Sequence, residues 1–190
     1  MRLGLVSDIH GNAAMLEAAL RAMGEIDRLV CLGDAISQYK FSNETVEILR
    51  AHAAITIAGN HEEVFFGPHG QRARAAGWID PALMAWLAEQ PPQRTLECNG
   101  KSLLLVHSCP WAPHAYIYPH SPAFARFAES GADFVLYGHT HAPVARQVGR
   151  TLVVNPGSTG EGQTAQGEPM CSCAVLDIAA ASARLIHLAH

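Results

Sequence analysis

The sequence predicts an α/β fold whose first half is built on a parallel sheet and whose second half is antiparallel. Short apolar runs alternate with amphipathic helical patterns between residues 2 and 59, which is typical of βαβ units. Two later pairs of apolar runs are joined at Asn99-Gly100 and Gly149-Arg150, which indicates two β-hairpins. With 190 residues, 49% apolar and 16% charged, the chain is expected to form one well-buried domain over 1–190.

The elements follow from hydrophobic periodicity and from the residues that begin and end each run. Asn12 and Asn43 stand just before two helical patterns, where an Asn side chain caps the first turn. The 81–90 pattern ends before Pro91-Pro92. The predicted strands are 2–7, 28–33, 54–59, 94–98, 101–107, 133–138, 144–148, 151–155, 171–178 and 183–188, and the predicted helices are 13–23, 43–51, 81–90 and 122–130.

The composition excludes several functional classes. A net charge of −4 and a pI near 6.2 argue against a broad electrostatic contact with long nucleic acid or with an anionic membrane. No apolar run approaches the roughly 20 residues of a transmembrane helix, and Asp8 and His10 interrupt the first run before a signal peptide could form. A homo-oligomer is compatible with the sequence.

The cysteines indicate a reducing environment. There are five, an odd number at scattered positions, which disfavours a disulfide framework and predicts a cytoplasmic protein. Cys171 and Cys173 are one residue apart, and the favoured interpretation places both on the same face of a buried strand. A metal clip is the alternative, although structural zinc sites usually space such cysteines by about two to four residues.

Polar residues with metal-binding chemistry follow five of the predicted strands. Ligands bind outside the carboxyl ends of strands in open α/β sheets, and His is the commonest metal ligand, of which the chain has 11. In Asp-x-His and His-x-His we expect both side chains on one side of an extended backbone. We expect Gly33, Gly59 and Gly138 to allow tight turns and a close approach of backbone to ligand. The residues are Asp8, His10, Asp34, Asn60, His61, His107, His139 and His141.

This set contains more ligands than one tetrahedral metal accepts. Two metal ions that share a bridging carboxylate would use the two Asp, the one Asn and four of the His, with His61 left off the metals. Such pairs, about 3.5–4 Å apart, stabilise the attacking and leaving oxygens of phosphoryl transfer.

The motifs in this order resemble the signature of the calcineurin-like metallophosphoesterase superfamily. They are Asp8-x-His10, Gly33-Asp34, Gly59-Asn60-His61-Glu62, His107 and Gly138-His139-Thr140-His141, and the later Asn155-Pro156-Gly157-Ser158 is similar to a motif of its small bacterial and archaeal phosphodiesterase branch. The resemblance implies a four-layer αββα sandwich of two mixed β-sheets flanked by helices.

The resemblance also implies roles for the residues and two divalent transition-metal ions. Asp8, His10 and His141 would hold one ion, Asn60, His107 and His139 the other, and Asp34 would bridge them. A metal-bridging hydroxide would attack phosphorus in line, with Asn60 contacting the substrate and catalytic His61 facing the phosphate, either as general acid or to stabilise charge on the phosphate oxygens. Four imidazoles disfavour Mg and Ca, so Mn is the first choice, with Fe, Zn, Co or Ni as alternatives.

The second motif departs from that of the related protein phosphatases. Ser37 replaces an Asp that orients their catalytic His, and Gln38 replaces an Arg that binds phosphate. Loss of a bidentate Arg weakens recognition of a dianionic monoester, so the predicted substrate is a small phosphodiester, that of a small nucleotide or a similar metabolite. The alternatives are phosphomonoester or nucleotide polyphosphate hydrolysis, and a non-catalytic scaffold with the same fold.

Several residues near these motifs have two interpretations. Asn12 is either a helix N-cap or a substrate contact, and Glu62 either supports the site or occupies a first helical turn. The loop at 108–120 either walls the substrate pocket through His114, Tyr116, Tyr118 and His120 or is an ordinary surface loop. Ser158 and the Gly-rich stretch 157–169 either border the pocket or form a merely mobile loop. We expect His52, His69, His187 and His190 at the surface or the core edge.

Overall fold

Two five-stranded β-sheets pack face to face, with helices on their outer faces, in the computed structural model, which describes residues 1–163 and 167–188. The helices are α1 (Ala13–Met23), α2 (Asn43–Ala51), α3 (Asn60–Phe66), α4 (Gln71–Arg74) and α5 (Pro81–Ala88), with 3₁₀ segments at Pro68–Gly70 and Pro122–Ser130. The strands are β1 (Arg2–Val6), β2 (Arg28–Cys31), β3 (Ile55–Thr56), β4 (Gln93–Cys98), β5 (Lys101–Val106), β6 (Phe134–Leu136), β7 (Val144–Val148), β8 (Thr151–Asn155), β9 (Cys171–Asp177) and β10 (Ser182–Leu188).

Both sheets are mixed, as the implied sandwich requires. The first has the order β10-β9-β1-β2-β3, in which β1, β2 and β3 are parallel and β9 is antiparallel to both β1 and β10. The second has the order β4-β5-β6-β8-β7. The αββα fold class is therefore confirmed, while one domain over 1–190 stays a prediction.

The prediction of an antiparallel second half is wrong in part. Both hairpins, β4–β5 and β7–β8, are present, but β5, β6 and β8 run parallel to one another. Turn-forming dipeptides report only on strands that follow each other directly. The long connection between β5 and β6 crosses over and returns the chain in the same direction, which a two-residue turn cannot do.

The core has three parts because strand residues alternate between faces. Phe134 and Leu136 of β6 pack between the sheets, while Val135 packs outward against the 3₁₀ segment that contains Phe127. Cys171 and Cys173 are 1% and 0% exposed and both pack in the cluster under α1 and α2. This confirms the interpretation of the two thiols as packing positions on one strand face.

The helix caps agree with the sequence at one position and correct it at another. The Asn12 side chain accepts a hydrogen bond from Met15 N (3.2 Å) and caps α1. The second cap is Ser42, which accepts from Thr45 N, and Asn43 is already helical. Propensity identifies the cap only to within a residue when Ser and Asn are adjacent. No helix in the described residues is long and apolar enough to cross a membrane.

Candidate active site at the strand ends

All eight predicted residues lie together where the carboxyl ends of β1, β2, β5 and β6 meet. Three backbone contacts fix this edge: Asp8 N donates to Gly33 O (3.1 Å), and Gly138 N donates to His107 O (2.9 Å). His139 N donates to Asp8 Oδ2 (3.0 Å), which joins the two sheets. We call Asp8, His10, Asp34, Asn60, His61, His107, His139 and His141 the strand-end cluster.

The backbone of this cluster is left-handed rather than extended. Asp8, His10, Asp34, His139 and His141 have φ between 50° and 66°, a region that non-glycine residues seldom occupy. The expectation that Asp-x-His and His-x-His lie on an extended backbone is therefore wrong. The strands end before these motifs, and the turns that follow bring the paired side chains together. Such strained positions concentrate at functional sites, where the surrounding structure holds them in place.

Glycines permit the close approach that the turns need. A Cβ at Gly59 would collide with Asp34 Oδ1, and a Cβ at Gly33 would lie 2.6 Å from His107 Nδ1. Gly33 also has φ of 95°, which favours glycine.

The first group of ligand atoms comes from Asp8, His10 and His141. The two Nε2 atoms of the histidines lie 3.2 Å apart, and Asp8 Oδ1 lies 3.3 Å from His141 Nε2 and 4.0 Å from His10 Nε2. Asp8 Oδ1 is buried and has no hydrogen-bond partner in the part of the chain that the structure describes. Buried polar atoms normally have a partner, so an orphaned carboxylate oxygen between two imidazoles fits a bound cation.

The second group comes from Asp34, His107 and His139, with Asn60 beside them. His107 Nδ1 lies 2.7 Å from Leu32 O and donates to it, because a carbonyl can only accept. Its Nε2 therefore faces Asp34 Oδ2 (3.3 Å) and Asn60 Oδ1 (3.0 Å). His139 Nε2 lies 3.4 Å from His114 O and donates to it, which leaves the Nδ1 lone pair to bind a metal ion. Metal-binding histidines typically donate their other ring nitrogen to a carbonyl in this way.

The charges within the cluster are strongly coupled. Burial opposes the charge of His107 and of Asp34, but their mutual attraction dominates, raising the pKa of His107 to about 10 and lowering that of Asp34 to about 2. Burial lowers the pKa of His10, and burial together with the charge of His107 lowers that of His139. Neutral imidazole is the form that binds a metal ion.

His61 lies at the open side of the cluster, with 25% of its side chain exposed. Its backbone N donates to Asp34 Oδ1 (2.9 Å), and its Nδ1 accepts from Gln38 N (3.1 Å). Nε2 lies 3.9 Å from Asp34 Oδ2. Ser37 does not orient this ring, because its hydroxyl donates to His10 O. His61, His10 and Asp34 also lie close enough to form a third group of candidate ligands.

Glu62 supports the cluster from within the protein. It is 1% exposed and accepts from three backbone N–H groups: Asp34 N (2.8 Å), Gly59 N (2.8 Å) and Ile36 N (3.1 Å). Burial and the charge of Asp34 raise the pKa of its carboxyl to about 7. Glu62 is thus a supporting residue as well as the third residue of α3.

The Asn155-Pro156-Gly157-Ser158 motif holds the turns of the cluster. Asn155 Nδ2 donates to Gly138 O (2.8 Å), and Ser158 Oγ donates to Asp8 O (2.7 Å). Sequence reasoning missed Ser7, whose buried hydroxyl donates to Asp8 Oδ2 (2.6 Å). A serine next to an aspartate carries no signal of such a bond.

The remaining histidines and the 108–120 loop differ in how they relate to the cluster. His52, His69 and His187 are exposed, and His190 lies outside the described residues, as do residues 164–166 of the Gly-rich stretch. Tyr116 stacks on His139 with ring centroids 4.1 Å apart, so the loop does border the cluster. Asn12 uses both ends of its amide within the protein, because Nδ2 donates to Gly160 O (3.1 Å).

The model of the calcineurin-like phosphoesterase superfamily domain matches residues 1–181. The chain belongs to this family. It is 29% identical over 160 residues to phosphodiesterase YfcE of Escherichia coli strain K12, covering 83% of this chain and 79% of the relative. The uncharacterized protein MJ0912 of Methanocaldococcus jannaschii is 26% identical over 188 residues, covering 84% and 76%.

A solved metallophosphoesterase from Sphaerobacter thermophilus has the same fold. Its TM-score to this chain is 0.77 at 24% identity, covering 100% of this chain and 89% of that chain. The predicted family and fold are thus confirmed, and the family is one of metal-dependent phosphoric ester hydrolases. The individual roles of the cluster residues stay predictions.

Proposed function

We propose that the chain is a phosphodiesterase that uses two divalent transition-metal ions to cleave a small phosphodiester. One observation carries this proposal: two groups of ligand atoms meet where strand ends of both sheets come together, with a partly exposed histidine beside them. Asp8, His10 and His141 would hold one ion, Asn60, His107 and His139 the other, and Asp34 would be shared.

The donor set fits transition metals better than Mg²⁺ or Ca²⁺. Imidazole nitrogens suit Mn, Fe, Zn, Co and Ni, whereas Mg and Ca prefer shells of oxygen atoms. Mn is our first choice. When bound, such ions activate water as a nucleophile and neutralise charge on the phosphate.

The chain supplies proton transfer and positioning. Because Gln38 N donates to His61 Nδ1, neutral His61 carries its proton on Nε2, the ring atom nearer Asp34. That N–H is placed to donate a hydrogen bond to a phosphate oxygen and so stabilise its charge, and the protonated ring would be the form that acts as a general acid. The Asn60 amide, beside His107, would contact the same phosphate.

Two cavities favour a diester over a monoester. One, of about 480 Å³, is lined by Asn60 and His107 together with apolar Phe66 and Leu87. The other is an open cleft of about 580 Å³ on the side of His139 and His141. They share no lining residue, so each has room for one ester arm of a disubstituted phosphate.

A comparison of two chromogenic substrates tests the proposal. Protein reconstituted with Mn²⁺ is assayed against bis(p-nitrophenyl) phosphate and p-nitrophenyl phosphate. We expect kcat/KM to be at least about tenfold higher for the diester, which corresponds to roughly 1.4 kcal/mol in the transition state. A preference for the monoester, or for a nucleotide triphosphate in a parallel assay, would overturn the diester assignment.

The scaffold alternative has its own outcome. Loss of activity on chelation and its return with Mn²⁺ would support the metal-dependent hydrolase. No turnover with Mn, Fe, Zn, Co or Ni, in protein shown by elemental analysis to hold two ions, would favour a scaffold. His69→Ala, at an exposed histidine outside the cluster, is the matched control and is expected to keep full activity. A cytoplasmic location and a homo-oligomeric state stay predictions.

A further inference from the structure

A row of nearly parallel rings leads outward from the strand-end cluster. Tyr116 stacks on His139, Tyr118 follows with its centroid 6.2 Å from that of Tyr116 at an interplanar angle of 16°, and His120 follows at 5.6 Å and 12°. Tyr116 and Tyr118 are 57% and 37% exposed. We call Tyr116, Tyr118 and His120 the aromatic row.

The aromatic row is held in place by buried contacts of the loop that carries it rather than by contacts among its own rings. Ile117, between the two tyrosines, is buried at 6% exposure, and its carbonyl accepts from the buried Tyr137 hydroxyl (3.1 Å). Ser108 Oγ donates to Ala115 O on the same loop. The loop is therefore anchored while its alternate rings face outward. Exposed aromatic rings in a fixed array are suited to stacking with a flat ligand.

The cleft beside the row is electrostatically selective. Glu161 is its one carboxylate, and no Lys or Arg is among the described residues that line it. Arg146 is outside this lining: its guanidinium donates to Pro119 O (2.7 Å), between Tyr118 and His120, and lies over the Phe124 ring. A second phosphate here would meet the Glu161 carboxylate, with no Lys or Arg among the described lining residues to offset the repulsion. A neutral ring bearing N–H donors would find stacking faces and a hydrogen-bond acceptor.

We propose that the aromatic row binds a nucleobase, so that the substrate is a nucleoside phosphodiester. This inference rests on the proposed phosphodiesterase function and specifies one of its two ester arms. Tyr116, the first ring of the row, stacks on His139. A base stacked on Tyr118 therefore lies within the length of one nucleoside from a phosphate bound at the cluster. The Glu161 carboxylate accepts hydrogen bonds from the amino group of the base or from ribose hydroxyls.

Competition among three methyl phosphodiesters tests the inference. Dimethyl phosphate, benzyl methyl phosphate and adenosine 5′-methyl phosphate each carry one negative charge and differ only in one arm. Their inhibition constants are measured against hydrolysis of bis(p-nitrophenyl) phosphate by the Mn²⁺-loaded protein. We expect the adenosine ester to bind at least about tenfold more tightly than dimethyl phosphate, and the benzyl ester to lie between them.

Point variants test whether Tyr118 is responsible for the tighter binding of the adenosine ester. Tyr118→Ala is expected to remove most of the adenosine advantage and to leave the inhibition constant of dimethyl phosphate unchanged, while Tyr118→Phe keeps the stacking face and the advantage. Tyr118 is used because Tyr116 also touches His139. Trp78→Ala is the matched control, since Trp78 is 56% exposed and lines neither cavity beside the cluster.

The outcomes separate this inference from the proposed function. Equal constants for dimethyl and adenosine esters, equal constants for benzyl and adenosine esters, or an adenosine advantage that survives Tyr118→Ala would each overturn the nucleobase assignment while leaving the phosphodiesterase intact. If no phosphodiester is hydrolysed, the proposed function fails, and calorimetric titration of the same three esters decides the binding inference by the same order of affinities.

Discussion

The strand-end cluster and the aromatic row lie side by side, yet the chain holds them by different means. Asp8 and Asp34 are 0% and 2% exposed. The Asp8 carboxylate accepts from Ser7 Oγ and His139 N, and the Asp34 carboxylate accepts from His61 N. Tyr116 and Tyr118 are exposed and keep their positions through the buried residue between them. Several surrounding contacts fix the cluster, whereas a single anchored loop carries the row.

This difference teaches where reaction class and substrate choice reside. A metal site needs donor atoms fixed to within fractions of an ångström, which only a buried network provides. Substrate recognition needs accessible faces, and loops on a rigid scaffold supply them. Changes in the cluster should therefore affect the reaction itself, and changes near the row should affect binding.

The largest effect is expected from the carboxylate at the centre of the cluster. Asp34→Ala removes a proposed ligand of both ions and leaves His107 without its partner. We expect metal affinity to fall by more than about 100-fold, the upper end for a residue that only supports a ligand, and turnover to disappear. Elemental analysis and metal titration measure this change. Retention of two ions by the variant would contradict the shared-ligand role.

His61 stands at the boundary between the buried cluster and solvent. His61→Ala is expected to keep both ions and to slow turnover by about 10²- to 10⁴-fold, the usual contribution of a general acid. Metal content and kcat are measured on the same preparation. Loss of an ion would instead assign His61 to the third group of candidate ligands, and unchanged turnover would exclude it from the reaction.

Glu62 tests how far the cluster depends on its buried support. Glu62→Ala leaves three backbone N–H groups without an acceptor in a buried site, so we expect the free energy of unfolding to fall by about 3–5 kcal/mol. Denaturant unfolding of the metal-free protein measures it. Glu63→Ala, at the adjacent residue with a 68% exposed side chain, should change stability by less than about 0.5 kcal/mol.

Metal binding should depend on pH through His107. Its raised pKa of about 10 means that the metal-free protein carries a proton there at neutral pH, and coordination must release it. Apparent affinity should therefore rise with pH, by up to about tenfold per unit below about pH 10. Titration of Mn²⁺ at several pH values checks the sign. An affinity independent of pH would contradict it.

The smallest effect is expected at the anchor of the row. Tyr137→Phe removes the donor to Ile117 O and should cost about 1 kcal/mol of stability, with metal content unchanged. The affinity for the adenosine ester should fall by a larger factor than kcat does. A larger change in kcat than in affinity would show that the loop and the cluster do not act separately.

Much of the candidate site could be predicted because its signals are local. Polar residues at strand ends, glycines beside them and the order of the motifs all lie in short windows, and the structure brings all eight residues to one edge. The expectations that were wrong concern features that depend on residues far apart in the sequence. The parallel order of β5, β6 and β8 depends on a crossover, and the left-handed backbone at Asp8 and His139 depends on contacts across both sheets.

The sequence by itself determined the family and the candidate ligands through the order of its motifs, which is a property of neighbouring residues, and the sandwich fold followed from the resemblance to that family. Only the tertiary structure decided the tautomers of His107 and His61, the orphaned oxygen of Asp8 and the stacking of Tyr116 on His139. Each of these depends on an atom supplied by a distant segment, such as Leu32 O for His107. Distances between segments are fixed by packing, which no local pattern encodes.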